Sequence, residues 1–177
     1  NTSASKTYFN GATIGYNSTT NDILSIQFLE DANGTPNRKK INNVLNKKRF
    51  GNTNISNNYD GMKKAFHIKT DDFKCPPGCG ISKIETLNDS VNLKGISFQC
   101  KNLNTGKITK IKDNLNNLSN KISFSVKPDN TKSGEYAYSS FECENVDDKL
   151  NFVNNISANE TSKVINSLKV NKCSYYK

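Results

Sequence analysis

The feature that most constrains this fold is a set of five cysteines in a chain that is poor in apolar residues. Hydrophobic residues make up 33% of its 177 residues, and its mean hydropathy is −0.73. Burial alone has difficulty offsetting the ordering of the backbone, which costs roughly 1–2 kcal/mol per residue. A disulfide restricts the unfolded chain and typically contributes ~2–4 kcal/mol. The sequence therefore indicates an oxidised protein that is secreted or exposed on a cell surface.

The spacing of the cysteines favours structural disulfides over a metal or redox site. The cysteines are Cys75, Cys79, Cys100, Cys143 and Cys173. A zinc site commonly uses two close pairs of ligands, whereas this chain has one close cysteine pair and one histidine. A redox motif has two residues between its cysteines, whereas the three residues Pro-Pro-Gly separate this pair. We expect no metal, no cofactor and no catalytic residue.

Spacing alone does not fix the disulfide pairing. We favour one bond from Cys75 or Cys79 to Cys100 and a second bond between Cys143 and Cys173. One cysteine is then left over, either free or bonded to a segment or partner outside this chain. A covalent or complex partner is one interpretation of that odd cysteine.

The chain is basic, with a formal net charge of +9 and a pI of about 9.3. A basic surface attracts polyanions such as nucleic acids, anionic lipids and sulfated or sialylated glycans. An oxidising compartment argues against genomic DNA, so we expect a glycan or protein partner and no nucleic acid. The alternative is that the lysine excess only keeps the protein soluble.

The chain is expected to form a single extracellular domain over residues 1–177. No stretch approaches the ~20 apolar residues of a membrane-spanning helix. Because the chain begins at Asn1 and shows no signal peptide, we interpret it as a processed or trimmed fragment. No internal repeat is evident.

Short runs of alternating apolar and polar residues, bounded by Asn, Gly and Pro, predict strands. The predicted strands cover residues 7–9, 12–16, 23–29, 65–69, 81–86, 93–101, 107–112, 121–126 and 136–142. Their spacing is typical of a sandwich or barrel. The expected fold is mainly β, a disulfide-stapled β-sandwich or β-prism-like domain with one or two short helices.

Two regions are predicted to be helical. The first covers residues 36–50, between a capping Thr35 and Gly51, which is placed for a left-handed C-terminal cap. Its apolar residues Ile41, Val44 and Leu45 follow helical spacing. The second region covers residues 147–155 and 159–169, with apolar residues at mixed spacing. The Asn-rich stretch 51–61 is expected to be a mobile loop.

The first predicted helix carries the best candidate for partner contact. Its six cations are Arg38, Lys39, Lys40, Lys47, Lys48 and Arg49. At an extracellular surface such a cluster is typical of a heparin-type patch, whose affinity falls with salt. The alternative is a solvated helix face. Tyr136 and Tyr138 would add aromatic contact area.

Composition and two short motifs resemble known families. Asparagine makes up about one residue in six, and this Asn/Lys richness with disulfides resembles exported proteins of apicomplexan (malaria-type) parasites. The run Cys75-Pro76-Pro77-Gly78-Cys79, with Cys100 beyond it, resembles the opening of LCCL domains, which are extracellular modules of secreted parasite adhesive proteins. Residues 93–100, followed by Thr105-Gly106, resemble a strand–turn unit of jacalin-like or β-prism lectins. These resemblances imply an extracellular binding role and supply no site residues.

His67 is the only histidine, so a Ser-His-Asp or Cys-His hydrolase would depend on it. Asp71 and Asp72 are expected on the following turn, and Asp147 and Asp148 at a turn or helix start. No hydrolase or phosphate-binding motif is present.

The sequence therefore favours a non-enzymatic adhesion or ligand-binding module of a secreted or cell-surface parasite protein. Its expected partner is a host-cell glycan or protein. The alternatives are a structural module of a larger surface complex and, less favoured, a hydrolase.

Overall fold

The computed structural model describes residues 3–20, 22–32, 44–52, 68–89, 91–110, 137–162 and 164–176, in which every regular element is a β-strand. The strands are β1 (Ser3–Ser5), β2 (Thr7–Asn17), β3 (Ile23–Ala32), β4 (Val44–Gly51), β5 (Ile68–Lys74), β6 (Cys79–Asn88), β7 (Leu93–Asn102), β8 (Ile108–Lys110), β9 (Ala137–Glu142), β10 (Asn151–Thr161) and β11 (Val164–Tyr176). The prediction of a mainly β fold is confirmed.

The described strands form three sheets. The first sheet has the order β4-β3-β2-β5, the second β8-β7-β6-β9 and the third β1-β11-β10. Paired strands run antiparallel in the first two sheets, and in the third β10 runs antiparallel to β11 while β1 runs parallel to it. Because β1 leads directly into β2, this parallel pair joins the third sheet to the first.

Most of the predicted strands are present. Residues 7–9 and 12–16 belong to the single strand β2, while 23–29, 81–86 and 93–101 lie within β3, β6 and β7. β9 covers all but the first residue of the predicted strand 136–142. The described parts of 65–69 and 107–112 contribute to β5 and β8, and residues 121–126 lie outside the described residues.

The first predicted helix is wrong where its residues are described. β4 begins at Val44, inside the predicted helix 36–50, and residues 36–43 lie outside the described part of the chain. β4 pairs with β3, and the ring of Phe50 lies 6.1 Å from that of Phe28. The neighbouring strand supplies backbone hydrogen bonds and an apolar partner, so tertiary context outweighs local helical spacing.

The second predicted helical region is also wrong. The described residues of 147–155 and 159–169 form a turn, most of β10 and the first part of β11. The two strands pair with each other, and the β-branched residues Val153, Ile156 and Ile165 are fully buried, as suits a pleated strand.

Gly51 ends β4 and does not cap a helix. Its φ is 81°, and a Cβ there would lie 2.3 Å from the carbonyl oxygen of Leu24. Both the backbone angle and the close approach therefore require glycine. Of the predicted mobile loop 51–61, Gly51 and Asn52 are described, and the other residues lie outside the described part of the chain.

The hairpins β2–β3, β6–β7 and β10–β11 share one backbone pattern that no sequence repeat indicated. In each hairpin the first strand carries one extra, unpaired residue, which is a β-bulge. The bulge residue is Asn10 in β2, Ser82 in β6 and Asn154 in β10. The interval is 72 residues both from 10 to 82 and from 82 to 154. The residues just before the bulges are buried in one core; they are Phe9, Ile81 and Val153. The described fold is therefore an approximate threefold repeat, whose first strands β2, β6 and β10 contact one another.

All five cysteines lie in the described residues, and disulfides join successive sheets. Cys75, just after β5, bonds to Cys100 on β7, and Cys143, just after β9, bonds to Cys173 on β11. The Cys143–Cys173 prediction is confirmed, and Cys75 is the partner of Cys100, which leaves Cys79 free. We call residues 75–78, between the first and second sheets, the first junction, and residues 143–150, between the second and third, the second junction.

Candidate ligand-binding pocket

The predicted cationic cluster does not lie on a helix in the described residues. Lys47, Lys48 and Arg49 lie on β4, whereas residues 38–40 are outside the described part of the chain. Because neighbouring residues of a strand point to opposite faces, Lys48 and Arg49 do not share one surface. The Lys48 ammonium lies 5.7 Å from the centre of the Phe50 ring, and Arg49 is exposed.

Cys79 is poorly placed for a covalent partner. The side chain is 7% exposed, and burial raises the pKa of its thiol. The thiolate is the reactive form, so this cysteine is a weak nucleophile in the folded protein.

The residues weighed for hydrolysis do not form a described catalytic site. His67 lies outside the described residues. Asp71 and Asp72 lie within β5 and not on a turn, and Asp72 accepts a hydrogen bond of 2.8 Å from the Thr13 hydroxyl. Among the described residues, no group of three or more His, Cys, Asp and Glu side chains could hold a metal ion.

A pocket of about 330 Å³ lies where β7 and β11 end and β10 begins. Its lining combines apolar, aromatic and polar side chains: Leu103, Asn104, Asp148, Lys149, Leu150, Phe152, Tyr175 and Tyr176. We call it the aromatic pocket. The second junction and the ends of two sheets contribute to it.

The floor of the aromatic pocket is a small apolar cluster. Leu103 and Phe152 are buried there with Tyr8, and Leu150 and Tyr176 pack against them. The rings of Tyr8 and Tyr176 meet edge to face, with centroids 4.8 Å apart and an interplanar angle of 80°. This geometry is the favoured one for aromatic pairs, so Tyr176 is held in place from below.

Two tight turns form the polar rim. Val146 and Lys149 exchange backbone hydrogen bonds of 3.1 and 3.0 Å, and Asp147 between them has a φ of 54°. Aspartate tolerates this left-handed angle, and the turn places Asp148 and Lys149 on the rim. On the other side, the Asn102 side-chain oxygen accepts the backbone N–H of Asn104 at 2.8 Å.

The aromatic pocket also contains a cation–π contact. The Lys149 ammonium lies 4.2 Å from the centre of the Tyr175 ring, and Lys149 is exposed while Tyr175 is half-buried. An ammonium in this position can donate to an oxygen atom of a bound molecule without leaving the ring.

The size and chemistry of the lining suit a small polar ligand. Ligand pockets are mostly apolar and aromatic with a few polar groups, and about 330 Å³ is at the small end of their range. The lining residues include one carboxylate and neither histidine nor cysteine, so they contain no Ser-His or Cys-His pair. A compact polar molecule with one apolar face, such as a sugar ring, suits these walls.

Sequence reasoning missed this pocket. The signals available were the adjacent Tyr175 and Tyr176 and the Asp147-Asp148 turn, which lie more than twenty residues apart. Of the tyrosines named instead, Tyr138 lies on β9 and its hydroxyl donates to the Glu85 carboxylate, whereas Tyr136 is outside the described residues.

No family model, curated protein or solved structure matches this chain. Among the described residues, no helix is long and apolar enough to cross a membrane. The two disulfides are typical of proteins that mature in an oxidising compartment.

Proposed function

We propose that this protein is a non-enzymatic, ligand-binding module of a secreted or cell-surface protein, and that its aromatic pocket binds a sugar unit of a glycan. The observation that carries the proposal is the combination, in one pocket, of two half-buried tyrosines with Asn104, Asp148 and Lys149 on the rim. Tyrosine presents an apolar face and a polar tip, which suits a molecule that is apolar on one side and hydroxylated on the other.

The rim supplies the hydrogen-bonding groups that sugar hydroxyls need. The carboxylate of Asp148 accepts, the ammonium of Lys149 donates, and the amide of Asn104 does both. Because these residues lie on tight turns and Tyr176 packs against the apolar floor, the pocket is largely preformed, which lowers the entropic cost of binding. The net charge of +9 favours acidic glycans through long-range attraction.

The proposal is tested by applying the wild type and two variants to a glycan array. Tyr175→Ala removes one wall of the pocket, and we expect affinity for any bound glycan to fall at least about tenfold, equivalent to ~1.4 kcal/mol. Phe141→Ala is the matched control, because Phe141 is an aromatic residue on β9 that is 43% exposed and is not part of the lining.

Two results contradict the glycan proposal. One is the absence of binding to any glycan by the wild type at high protein concentration. The other is a Tyr175→Ala variant that binds as tightly as the Phe141→Ala variant, which would place the binding site elsewhere.

The cationic segment of β4 is proposed as a second, electrostatic contact. Reversing Lys47, Lys48 and Arg49 to glutamate should lower the salt concentration that elutes the protein from heparin. The matched control reverses three exposed lysines at other sites and changes the net charge equally: Lys69, Lys107 and Lys172. Equal losses in the two variants would show that net charge alone, and not this segment, retains the protein.

A further inference from the structure

The two junctions bury a charged side chain at equivalent positions of the repeat. Asp31 on β3 pairs with Tyr8, two residues before the bulge at Asn10. Lys101 on β7 pairs with Gly80, two residues before the bulge at Ser82. Asp31 is 1% exposed and Lys101 is 2% exposed, so both are buried at equivalent positions of their hairpins.

At the second junction the buried charge is fully satisfied. The ammonium of Lys101 donates to the carbonyl oxygens of Cys143 and Asn151, each at 3.1 Å, and to Oδ1 of Asn145 at 2.7 Å. An ammonium has three hydrogens, and each finds one acceptor. The linker of the second junction, residues 143–150, supplies two of these oxygens.

At the first junction the buried carboxylate is only half satisfied. Oδ2 of Asp31 accepts a hydrogen bond from the side-chain amide of Asn10. Oδ1 of Asp31 and Oδ1 of Asn10 are both buried and have no hydrogen-bond partner among the described residues. Buried polar atoms are normally paired, so two adjacent acceptors without a donor require an explanation.

The composition of the first junction limits the backbone N–H donors that the protein itself can supply. Pro76 and Pro77 have no backbone N–H. The N–H groups of Cys75 and Cys79 donate instead to the carbonyl oxygens of Asn10, at 2.8 Å, and Pro76, at 3.1 Å. None of these four residues therefore donates a backbone N–H to Oδ1 of Asp31.

A cavity of about 220 Å³ is lined by both Asp31 and Asn10. Its lining comprises Tyr8, Asn10, Asp31, Lys74, Cys75, Pro76, Pro77, Gly78 and Cys79. This volume is below the ~300–1,000 Å³ of small-molecule sites and is closer to the size of one long side chain. Tyr8, Pro76 and Pro77 contribute apolar surface to the lining, and Asp31 contributes a carboxylate.

We propose that this cavity binds a primary alkylammonium group, with the ammonium on Oδ1 of Asp31 and Oδ1 of Asn10 and the alkyl stem along Pro76 and Pro77. The second junction offers a chemical precedent, because there the ammonium of Lys101 is bonded to three oxygen acceptors. A lysine side chain combines an apolar stem and a charged tip in this way.

A metal ion fits the cavity less well. Calcium takes six to eight oxygen ligands, commonly several of them carboxylates, and Asp31 is the one carboxylate in the lining. Lys74 also lines the cavity, and its positive charge disfavours a divalent ion more strongly than a monovalent ammonium.

The test measures the thermal stability of the folded, oxidised protein with n-butylammonium chloride. We expect a saturable rise of about 3 °C in Tm at ten times the dissociation constant. Equal concentrations of tetramethylammonium chloride, sodium chloride and n-butanol should produce no such rise, because they lack either the N–H donors or the positive charge. The Asp31→Asn variant should lose the effect, whereas Asp72→Asn, which alters a carboxylate outside the cavity, should keep it.

Two further measurements keep the proposal testable if Asp31→Asn does not fold. In the wild type, butylammonium should shift the NMR signal of the Asn10 side-chain amide. The variant Lys74→Met removes an exposed competing cation and should bind butylammonium more tightly. An unshifted Asn10 signal, a rise in Tm with tetramethylammonium, or a full effect in Asp31→Asn would each overturn the proposal.

The source of the ammonium is resolved by two more probes. Lysine blocked at both backbone ends represents the side chain of a protein partner, and glucosamine represents a free amino sugar. A rise in Tm with blocked lysine supports a polypeptide partner, and a rise with glucosamine alone supports a free amine. If butylammonium, blocked lysine and glucosamine all leave Tm unchanged, the site is contradicted. Because Tyr175 is outside this cavity, the glycan proposal can fail while this one holds.

Discussion

The first and second junctions share one backbone arrangement but bury side chains of opposite charge, Asp31 at the first and Lys101 at the second. In both, the first cysteine of the linker donates its N–H to the carbonyl oxygen of a bulge residue at 2.8 Å, Cys75 to Asn10 and Cys143 to Ser82. In both, that cysteine is bonded to the second strand of the next hairpin. The repeat therefore preserves backbone hydrogen bonds and cross-links.

The two junctions differ in the hydrogen-bonding groups that their linkers supply to the neighbouring buried charge. Residues 143–150 include the Asn145 side chain and the Cys143 carbonyl group, which both accept from Lys101. Residues 75–78 include two prolines and offer Asp31 no described donor for its second oxygen. One junction is thus closed by the chain itself, and the other is left open to an outside group.

The largest expected effect comes from removing each disulfide in turn. Cys75→Ala with Cys100→Ala and Cys143→Ala with Cys173→Ala open loops with sequence separations of 25 and 30 residues. Loop-closure entropy predicts nearly equal losses, about 3.5 kcal/mol each. Urea denaturation measures both. A difference of more than about 1 kcal/mol would mean that the surroundings of the two junctions, and not chain entropy, set the contribution.

A smaller loss is expected from Lys101→Met. The change keeps an unbranched side chain but leaves three oxygen acceptors without a donor, and we expect the free energy of unfolding to fall by roughly 3 kcal/mol. Lys107→Met is the control, because Lys107 is exposed and its loss should stay within about 0.5 kcal/mol. Equal effects in the two variants would show that the second junction does not depend on its buried ammonium.

The smallest effect is a pH dependence at the first junction. Burial is the largest influence on Asp31 and raises its pKa above the ordinary value of 3.8, while Lys74 and the hydrogen bond from Asn10 oppose the rise. The pKa of Asp31 is higher in the folded protein than in the unfolded chain. The protonated Asp31 carboxyl therefore makes its full contribution to the free energy of unfolding below pH 3.8, and this contribution is lost as the pH rises through the folded pKa.

The wild type should therefore lose stability relative to Asp31→Asn as the pH increases across that window. Denaturation of both proteins at several pH values measures the difference and cancels the titration of other groups. A difference that stays constant, or that changes in the wild type's favour, would show that the carboxylate is well solvated. Saturating butylammonium should reduce the slope if the cavity binds it.

The sequence predicted the strand-rich fold class and the disulfides better than it predicted the secondary structure of every segment. Alternation of apolar residues located β2, β3, β6, β7 and β9, and polarity combined with cysteine content indicated the cross-links. Alternation failed at β10 and β11, which were predicted to be helical. It also failed at residues 44–50, where Val44 and Leu45 satisfy helical spacing as well as a strand. The choice was made by pairing with β3, and periodicity within one segment does not contain that information.

The sequence by itself determined that this chain is built of strands and needs covalent links, since both follow from local pattern and composition. Only the tertiary structure decided the 72-residue repeat, because the equivalent positions keep their burial and bulge geometry while their side chains differ. It alone also assembled the aromatic pocket and the two junctions, whose residues are distant along the chain. Burial, hydrogen-bond satisfaction and cavity shape are properties of neighbours in space, and a linear order of residues does not specify them.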